Sequence, residues 1–347
     1  MVRRHAEPSP QFAIPRTRPQ SSNVMVSLLS IVAAAAVDVV TRFQSTDAAF
    51  VACAEAPARP GDRRTSTSQL KVTTFNTEFL FLGNAPHGLK CPGADCRWKT
   101  VADAQSHVIQ IASVIKKLDA DIIQLNEVED CTVLQAVIAQ LQALGDSTYK
   151  PYVVRGADTS TGQNSALLTR IDPVVDVQRT ETRATIPHFY TTFNVTGFSK
   201  PLTLVGAHLL ANPESKPRCF EREAQATVLA GLANAAVDEG HHAIITGDLN
   251  DWSATVLDKN SNTPISAVLS ILTGSNFVDS DRYTQWWDED NNCVFEDSEV
   301  SSLDHMLVSK SLSSALKSVS FNHDLYASSC SGYNSDHYPI SVVLNKV

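Results

Sequence analysis

Along the 347 residues, short apolar runs of strand length keep ending on an acid, an amide or an imidazole. Lys71 to Phe79 carries Phe75-Asn76-Thr77-Glu78, and Asp121 to Leu125 runs into Asn126-Glu127. Pro201 to Leu210 holds Ala207-His208-Leu209, and His242 to Thr246 runs into Gly247-Asp248-Leu249-Asn250-Asp251. Leu303 to Val308 begins with Leu303-Asp304-His305, and Ser335-Asp336-His337 leads into the closing run Ile340 to Leu344. Between these strands lie helical segments. Val101, Ala104, Val108, Ile111, Ala112, Ile115 and Leu118 recur at helical spacing, followed by Val133 to Leu144 and the Ala-rich Ala224 to Val237. The body therefore alternates strands with helices, and no residue-level repeat is present.

Each polar strand end has an ordinary explanation by itself. Asn76 and Glu78 suit a turn, Glu127 a helix N-terminus, Asp248 an Asx-turn, and Asp304 a strand-end cap. Asp336-His337 alone would be a solvated turn. Six such ends on separate segments point instead to one place, because a metal-assisted site gathers oxygen ligands from several strands.

Charge narrows the ligand chemistry. The chain carries −9 overall, and its first 37 residues hold four Arg and one Glu, so the remainder carries −12. An acidic body excludes a metal-free, non-specific grip on a polyanion, which rests on Lys and Arg displacing counterions. A divalent cation reverses the sign locally.

The basic head is read as targeting sequence. Residues 1 to 23 are rich in Pro, Ser and Arg, and Val24 to Val37 is an apolar run of signal-peptide length, too short to span a bilayer comfortably. A secretory signal with a long basic region is the first expectation. An Arg-rich organelle transit peptide and a signal beginning at Met25 are the alternatives. Ala48 to Ser68 suits a cleavage zone and linker, giving residues 1–69 as targeting segment and linker and 70–347 as the folded domain. No stable membrane span is expected in the mature chain.

With Cys53 in the removed head, Cys91, Cys96, Cys131, Cys219, Cys293 and Cys330 form an even set that permits disulfides. Cys91 and Cys96 bracket a short Pro-Gly loop and can pair locally; no spacing suggests zinc. Asn194-Val195-Thr196 is a glycosylation sequon, relevant if the chain enters a eukaryotic secretory pathway.

From "TFNTEFL", "ADIIQLNEVED", "NSALLTR", "GAHLL", "REAQA", "ITGDLND" and "SSLDHMLVS" to "NSDHYPI", the chain resembles the endonuclease/exonuclease/phosphatase superfamily, in this order and over residues 70 to 347. It is most similar to the secreted and microbial branch, though that branch often has Gln where Asn126 stands. The Trp-Cys-Asp-Arg run of inositol phosphatases is missing. The resemblance implies a four-layered α/β sandwich, two packed mixed sheets flanked by helices, with the site in a cleft at one end of the sheets.

The resemblance also implies roles. Glu127 is the main candidate metal ligand, with Asn76, Glu78 and Asp336 beside it, and Asn76 also faces substrate. Magnesium is the expected ion, with manganese or calcium as alternatives, because it favours one or two carboxylates plus water and phosphate oxygens. Asp248 and Asn250 would hold the attacking water, Asp248 as base. His337 would lie against the phosphate, kept cationic by Asp304. His208 would bind the same phosphate or share the proton work. Arg222, opening "REAQA", is a substrate-binding candidate with solvation on an Ala-rich helix as its rival. Cys219 is expected in a disulfide. Tyr283, Trp286 and Trp287 either stack on a base or close the core, and His241, His242 and His305 are expected to be structural or surface residues.

The expected activity is metal-dependent phosphodiester hydrolysis by a secreted nuclease, with nucleic acid as substrate. A sphingomyelinase-like phospholipid or small-molecule phosphodiesterase is the alternative. A binding protein on a disabled version of the fold would have lost Glu127, Asp248 or His337, and all three are present.

Overall fold

The computed structural model describes residues 50–53, 55–82, 91, 96–156, 161–180, 188–273, 277–278, 283–323 and 334–347. The targeting segment 1–37 and Cys330 lie outside the described residues. The described structure begins at Phe50, ahead of the expected domain start near Leu70.

Two six-stranded sheets pack face to face. The first has the order β13-β14-β1-β2-β4-β3, and the second β5-β6-β7-β8-β12-β9. In the first, β1 (Gln69–Leu80) pairs in parallel with β2 (Ile122–Val128) and antiparallel with β14 (Ile340–Asn345). Around them lie β3 (Lys150–Val154), β4 (Asn164–Thr169) and β13 (Leu316–Phe321). In the second, β7 (Leu202–His208) pairs in parallel with β8 (His242–Asp248), which pairs antiparallel with β12 (Asp304–Ser309). Its remaining strands are β5 (Gln178–Arg179), β6 (Phe189–Phe193) and β9 (Phe277–Val278), while β10 (Gln285–Trp286) and β11 (Val300–Ser301) form a small separate ribbon.

Helices cover the outer faces. Helix α1 (Val101–Leu118) begins with a capping box, Thr100 against Asp103, and buries Val108, Ile111 and Ile115 against Phe75, Ile123 and Leu125 of the first sheet. Helix α2 (Cys131–Ala143) adds Val133, Leu134 and Val137 to that layer. On the second sheet, α3 (Lys216–Asp238) and α4 (Val268–Thr273) bury Ala226, Leu229, Ala233 and Leu272 over Val205, Ile245 and Leu307. Helix α3 starts before the expected Ala224, with a proline in its first turn where a missing N–H costs nothing. This helix–sheet–sheet–helix stack is the expected four-layered sandwich.

Strand parity places the site. Facing the opposite sheet are Leu70 and Val72 of β1, Ile122 of β2, Leu202 and Leu204 of β7, Ile244 of β8, and Met306 and Val308 of β12. Following the period of two, the same faces deliver Asn76, Asn126, His208, Asp248 and Asp304 at one end of the sheets. The inter-sheet core thus turns polar at a single rim.

The entry segment is tied down. Cys53 is disulfide-bonded to Cys131, the first residue of α2, and Val51 accepts from the Cys131 N–H at 2.9 Å. Arg63 pairs with Asp172 at 2.8 Å, and Arg64 with Asp62 at 2.7 Å. Cys53, expected in a removed head, is bonded to the domain in this structure. Cys91 pairs with Cys96 as expected, Cys293 is also disulfide-bonded, and Cys219, expected in a disulfide, is a buried free thiol on α3. Thiol labelling of the denatured, unreduced chain should mark Cys219 and leave Cys53 and Cys131 unmarked. Because the Cys53–Cys131 bridge closes a separation of 78 residues, Cys53→Ser with Cys131→Ser should cost about 2–4 kcal/mol in denaturant titrations. Labelling of Cys131 in the mature protein would mean that processing removes Cys53.

Candidate active site

The rim residues meet through strand register. Asn76 stands beside Asn126 on parallel β1 and β2, while His208, Asp248 and Asp304 stand side by side on β7, β8 and β12. Gly247 is required just before Asp248: its φ is +142°, and a Cβ there would lie 1.9 Å from the Ala207 carbonyl oxygen.

Glu127 leaves the ladder at an irregularity in β2. Its φ is +64°, and Glu78 and Phe79 opposite have φ values of +44° and +53°. Positive φ at three non-glycine residues on the two paired strands marks a strained corner that re-aims side chains toward the cleft. One Glu127 oxygen accepts from the Phe79 N–H at 3.0 Å and the other from Asn76 Nδ2 at 3.2 Å. The same Asn76 Nδ2 donates to Asp248 Oδ2 at 3.0 Å, so one amide bridges the two sheets.

Asn76 Oδ1 accepts from the Glu78 N–H at 3.1 Å. In this arrangement Asn76 is a bridge between carboxylates rather than an oxygen ligand. Glu78 Oε2 accepts from the Asp336 N–H at 2.8 Å, which fixes the loop entering β14. Asp336 Oδ2 accepts from Gln285 Nε2 at 2.8 Å, and its charge acts on Glu127.

His337 and Asp304 form the closest pair. His337 Nδ1 donates to Asp304 Oδ2 at 2.6 Å, leaving Nε2 3.8 Å from both Asp248 Oδ2 and Asp336 Oδ2. Burial would lower His337, yet Asp304 first, then Asp336 and Asp248, hold its imidazole well above the usual histidine value. His208 Nε2 lies 3.6 Å from Asp248 Oδ2 and 3.8 Å from Glu127 Oε1. Burial, then Asp304, pushes the Asp248 carboxyl up, and burial, then Asp336, pushes Glu127 up to about 7.

Asn250 and Arg222 do something other than expected. Asn250 Nδ2 donates to the Leu209 carbonyl at 3.0 Å, and its backbone N–H to Asp248 Oδ1 at 2.9 Å, so it orients the carboxylate instead of reaching into the cleft. Arg222 is fully buried. Its guanidinium donates to the carbonyls of Asn212 at 2.9 Å and Pro213 at 2.8 Å, which corrects the expectation that it meets substrate.

Several supporting residues carried no motif. Ser335 Oγ donates to the Asn76 carbonyl and accepts from the His337 N–H, and His107 Nε2 donates to the Asn334 carbonyl at 2.7 Å. Thr284 Oγ1 accepts from the N–H groups of Leu303 and Asp304. Trp286 is buried with Tyr338 and Val300 and closes the core there, while Trp287 is 46 % exposed. His241, His242 and His305 bond to Thr203, Ser311 and the Asp251 carbonyl, as structural histidines do.

The residues fit a hard divalent cation. Glu127 and Asp336 present close, mutually repelling carboxylates, and buried Asp304 Oδ1 has no hydrogen-bond partner among the described residues. Asp248, Asp304 and His337 also converge, but the proton held on His337 leaves that ring no lone pair to give.

A pH test follows from Glu127. Its native value, about 7, exceeds the ordinary glutamate range near ~4.3, so through that window the native state holds a proton that the unfolded chain releases. In chelator, wild type should lose stability relative to Glu127→Gln as pH rises from 5 to 7, and magnesium should reverse the loss. Paired thermal melts measure this; a pH-independent gap would mean that Glu127 is ionised throughout.

The fold, the rim and the order of strand ends define a known class. Residues 74–337 match the Endonuclease/Exonuclease/phosphatase family, and the chain belongs to it. The family's activity is metal-dependent phosphoester hydrolysis.

Solved structures share the fold. Truncated TDP2 of Caenorhabditis elegans is 18% identical with a TM-score of 0.51, covering 80% of this chain and 98% of that truncated chain. The endonuclease/exonuclease/phosphatase of Bacteroides vulgatus is 18% identical with a TM-score of 0.55, covering 80% and 99%. D. rerio TDP2, solved with a single-strand DNA product, is 16% identical with a TM-score of 0.52, covering 80% and 99%. None of the curated proteins compared matches in sequence. Among the described residues no helix is long and apolar enough to cross a membrane.

Proposed function

We propose that this protein is a secreted, magnesium-dependent nuclease. The observation that carries the reading is the meeting of a cationic His337, a raised Asp248 and a carboxylate pair, Glu127 and Asp336, around one rim. A site for a phosphodiester needs a fixed cation for its oxygens, a base for water, and further positive charge against the acidic walls. The D. rerio TDP2 structure with a DNA product supports a nucleic acid as substrate, and the disulfides support an oxidising compartment.

In this mechanism Asp248 takes the proton of the attacking water. Asn76 and Asn250 hold its two oxygens, and its raised affinity for a proton suits a base working near neutrality. His337 donates from Nε2 to a non-bridging phosphate oxygen while Asp304 holds Nδ1. His208, within 4 Å of both Asp248 and Glu127, binds the same phosphate from the β7 side. Glu127 and Asp336 would hold the divalent cation, with Glu78 and Asn76 fixing them; when bound it neutralises charge on the phosphate and the leaving oxygen.

The test is purified protein incubated with supercoiled plasmid, linear DNA, RNA and sphingomyelin vesicles, each with magnesium and with chelator. Metal-dependent nicking of plasmid is expected. Turnover of sphingomyelin alone would replace nucleic acid by phospholipid as substrate.

A further inference from the structure

The segment His208 to Pro213, which carries His208 out of β7, is gripped at nearly every backbone polar group. His188 Nδ1 accepts from the His208 N–H at 3.2 Å, and the Asp248 carbonyl accepts from the Leu209 N–H at 2.8 Å. Asn250 Nδ2 donates to the Leu209 carbonyl, and Gln225 Oε1 accepts from the Leu210 N–H at 3.3 Å. Arg222 then donates to the carbonyls of Leu210, Asn212 and Pro213.

The bond from His188 is unusual in kind. Among the described residues, ladder pairing between β6 and β7 ends at Phe189 opposite Gly206, and the His208 N–H donates to an imidazole rather than to a strand carbonyl. His188 and Arg222 are both fully buried, so neither can serve solvent or substrate directly.

We propose that His188, with Arg222 and Gln225 of α3, forms a clamp that positions His208 against Asp248 and Glu127, and that His188 does so as a hydrogen-bond acceptor. This rests on the phosphodiesterase reading of the site. Burial first, and the neighbouring His208 second, keep His188 down at about 3, which leaves Nδ1 its lone pair at any working pH. The clamp matters because His208 Nε2 stands 3.6 Å from Asp248 Oδ2, and a displacement of about 1 Å at a reacting group can cost roughly 100-fold in rate.

The experiment compares His188→Asn, whose side-chain oxygen can take the place of Nδ1, with His188→Leu, which keeps apolar volume and removes the acceptor. Two readouts are taken on the full chain. Amide exchange at His208 by NMR should stay slow in wild type and His188→Asn and quicken at least ~100-fold in His188→Leu, since local opening sets that rate. On bis(p-nitrophenyl) phosphate with magnesium, His188→Leu should lose roughly 10- to 100-fold in kcat with KM within about threefold, and His188→Asn should restore most of it. Equal exchange and equal kcat in Leu and Asn variants would reduce His188 to packing and overturn the clamp. A wild type inert on every phosphodiester would sink the functional reading instead, with the exchange measurement still deciding the clamp.

Discussion

Glu127→Gln is expected to leave the fold intact and remove at least ~10³-fold of the phosphodiesterase rate, because it takes a charge from the cation's proposed ligand pair and changes almost no volume. Both Glu127 oxygens accept hydrogen bonds, from Phe79 and Asn76. A glutamine keeps the Asn76 bond through its oxygen and sets its NH2 against the Phe79 N–H. The magnesium dependence should therefore suffer more than the folding. Titration of the variant with magnesium, followed by calorimetry and by rate, separates the two effects. Near-wild-type turnover would remove Glu127 from the metal and shift the ligand role to Asp336 and Asp248.

The second large effect concerns the pair at 2.6 Å, His337 Nδ1 and Asp304 Oδ2. His337→Ala should lower kcat by roughly 10²–10⁴-fold, the range for a positioned proton donor or charge stabiliser. Asp304→Asn should cost a similar amount, since Asp304 is the largest influence holding the imidazole cationic. The double variant should be little worse than either single one, because each change disables the same unit. Losses that multiply would show two independent residues. The acid pair also predicts a pH signature: weakening of His337's charge in Asp304→Asn should bring the alkaline limb of the rate profile to lower pH.

Parity explains why so much of the site was legible. Leu202, Leu204 and His208 share one face of β7, as Met306, Val308 and Asp304 share one face of β12, so apolar alternation that ends in a polar residue gives both the strand and its active end. Glu127 and Glu78 were found only as types. Their aim into the cleft depends on positive φ at non-glycine positions, for which the chain offers no Gly or Asn signal at Glu78, Phe79 or Glu127. Arg222 was misplaced for a related reason: an arginine in a helix looks the same whether its partner is a phosphate or three carbonyls of a loop ten residues back. Asn250 likewise needs Leu209, 41 residues away, to reveal its use. Cys53 needed Cys131 to show that it is bonded to the domain.

Strand β14 lies inside the first sheet between β13 and β1, pairing with β1 from Gln69 opposite Asn345 to Thr74 opposite Ile340. The earliest strand of this sheet is thus completed by one that comes much later in the chain. A chain emerging N-terminus first cannot finish that sheet, nor bring Asp336 and His337 to Glu78 and Asp304, until the segment 334–345 is free. The rim therefore needs both the first and the last strands of the domain in place. A product truncated before Asn334 lacks both the strand and the imidazole, so it cannot assemble the rim.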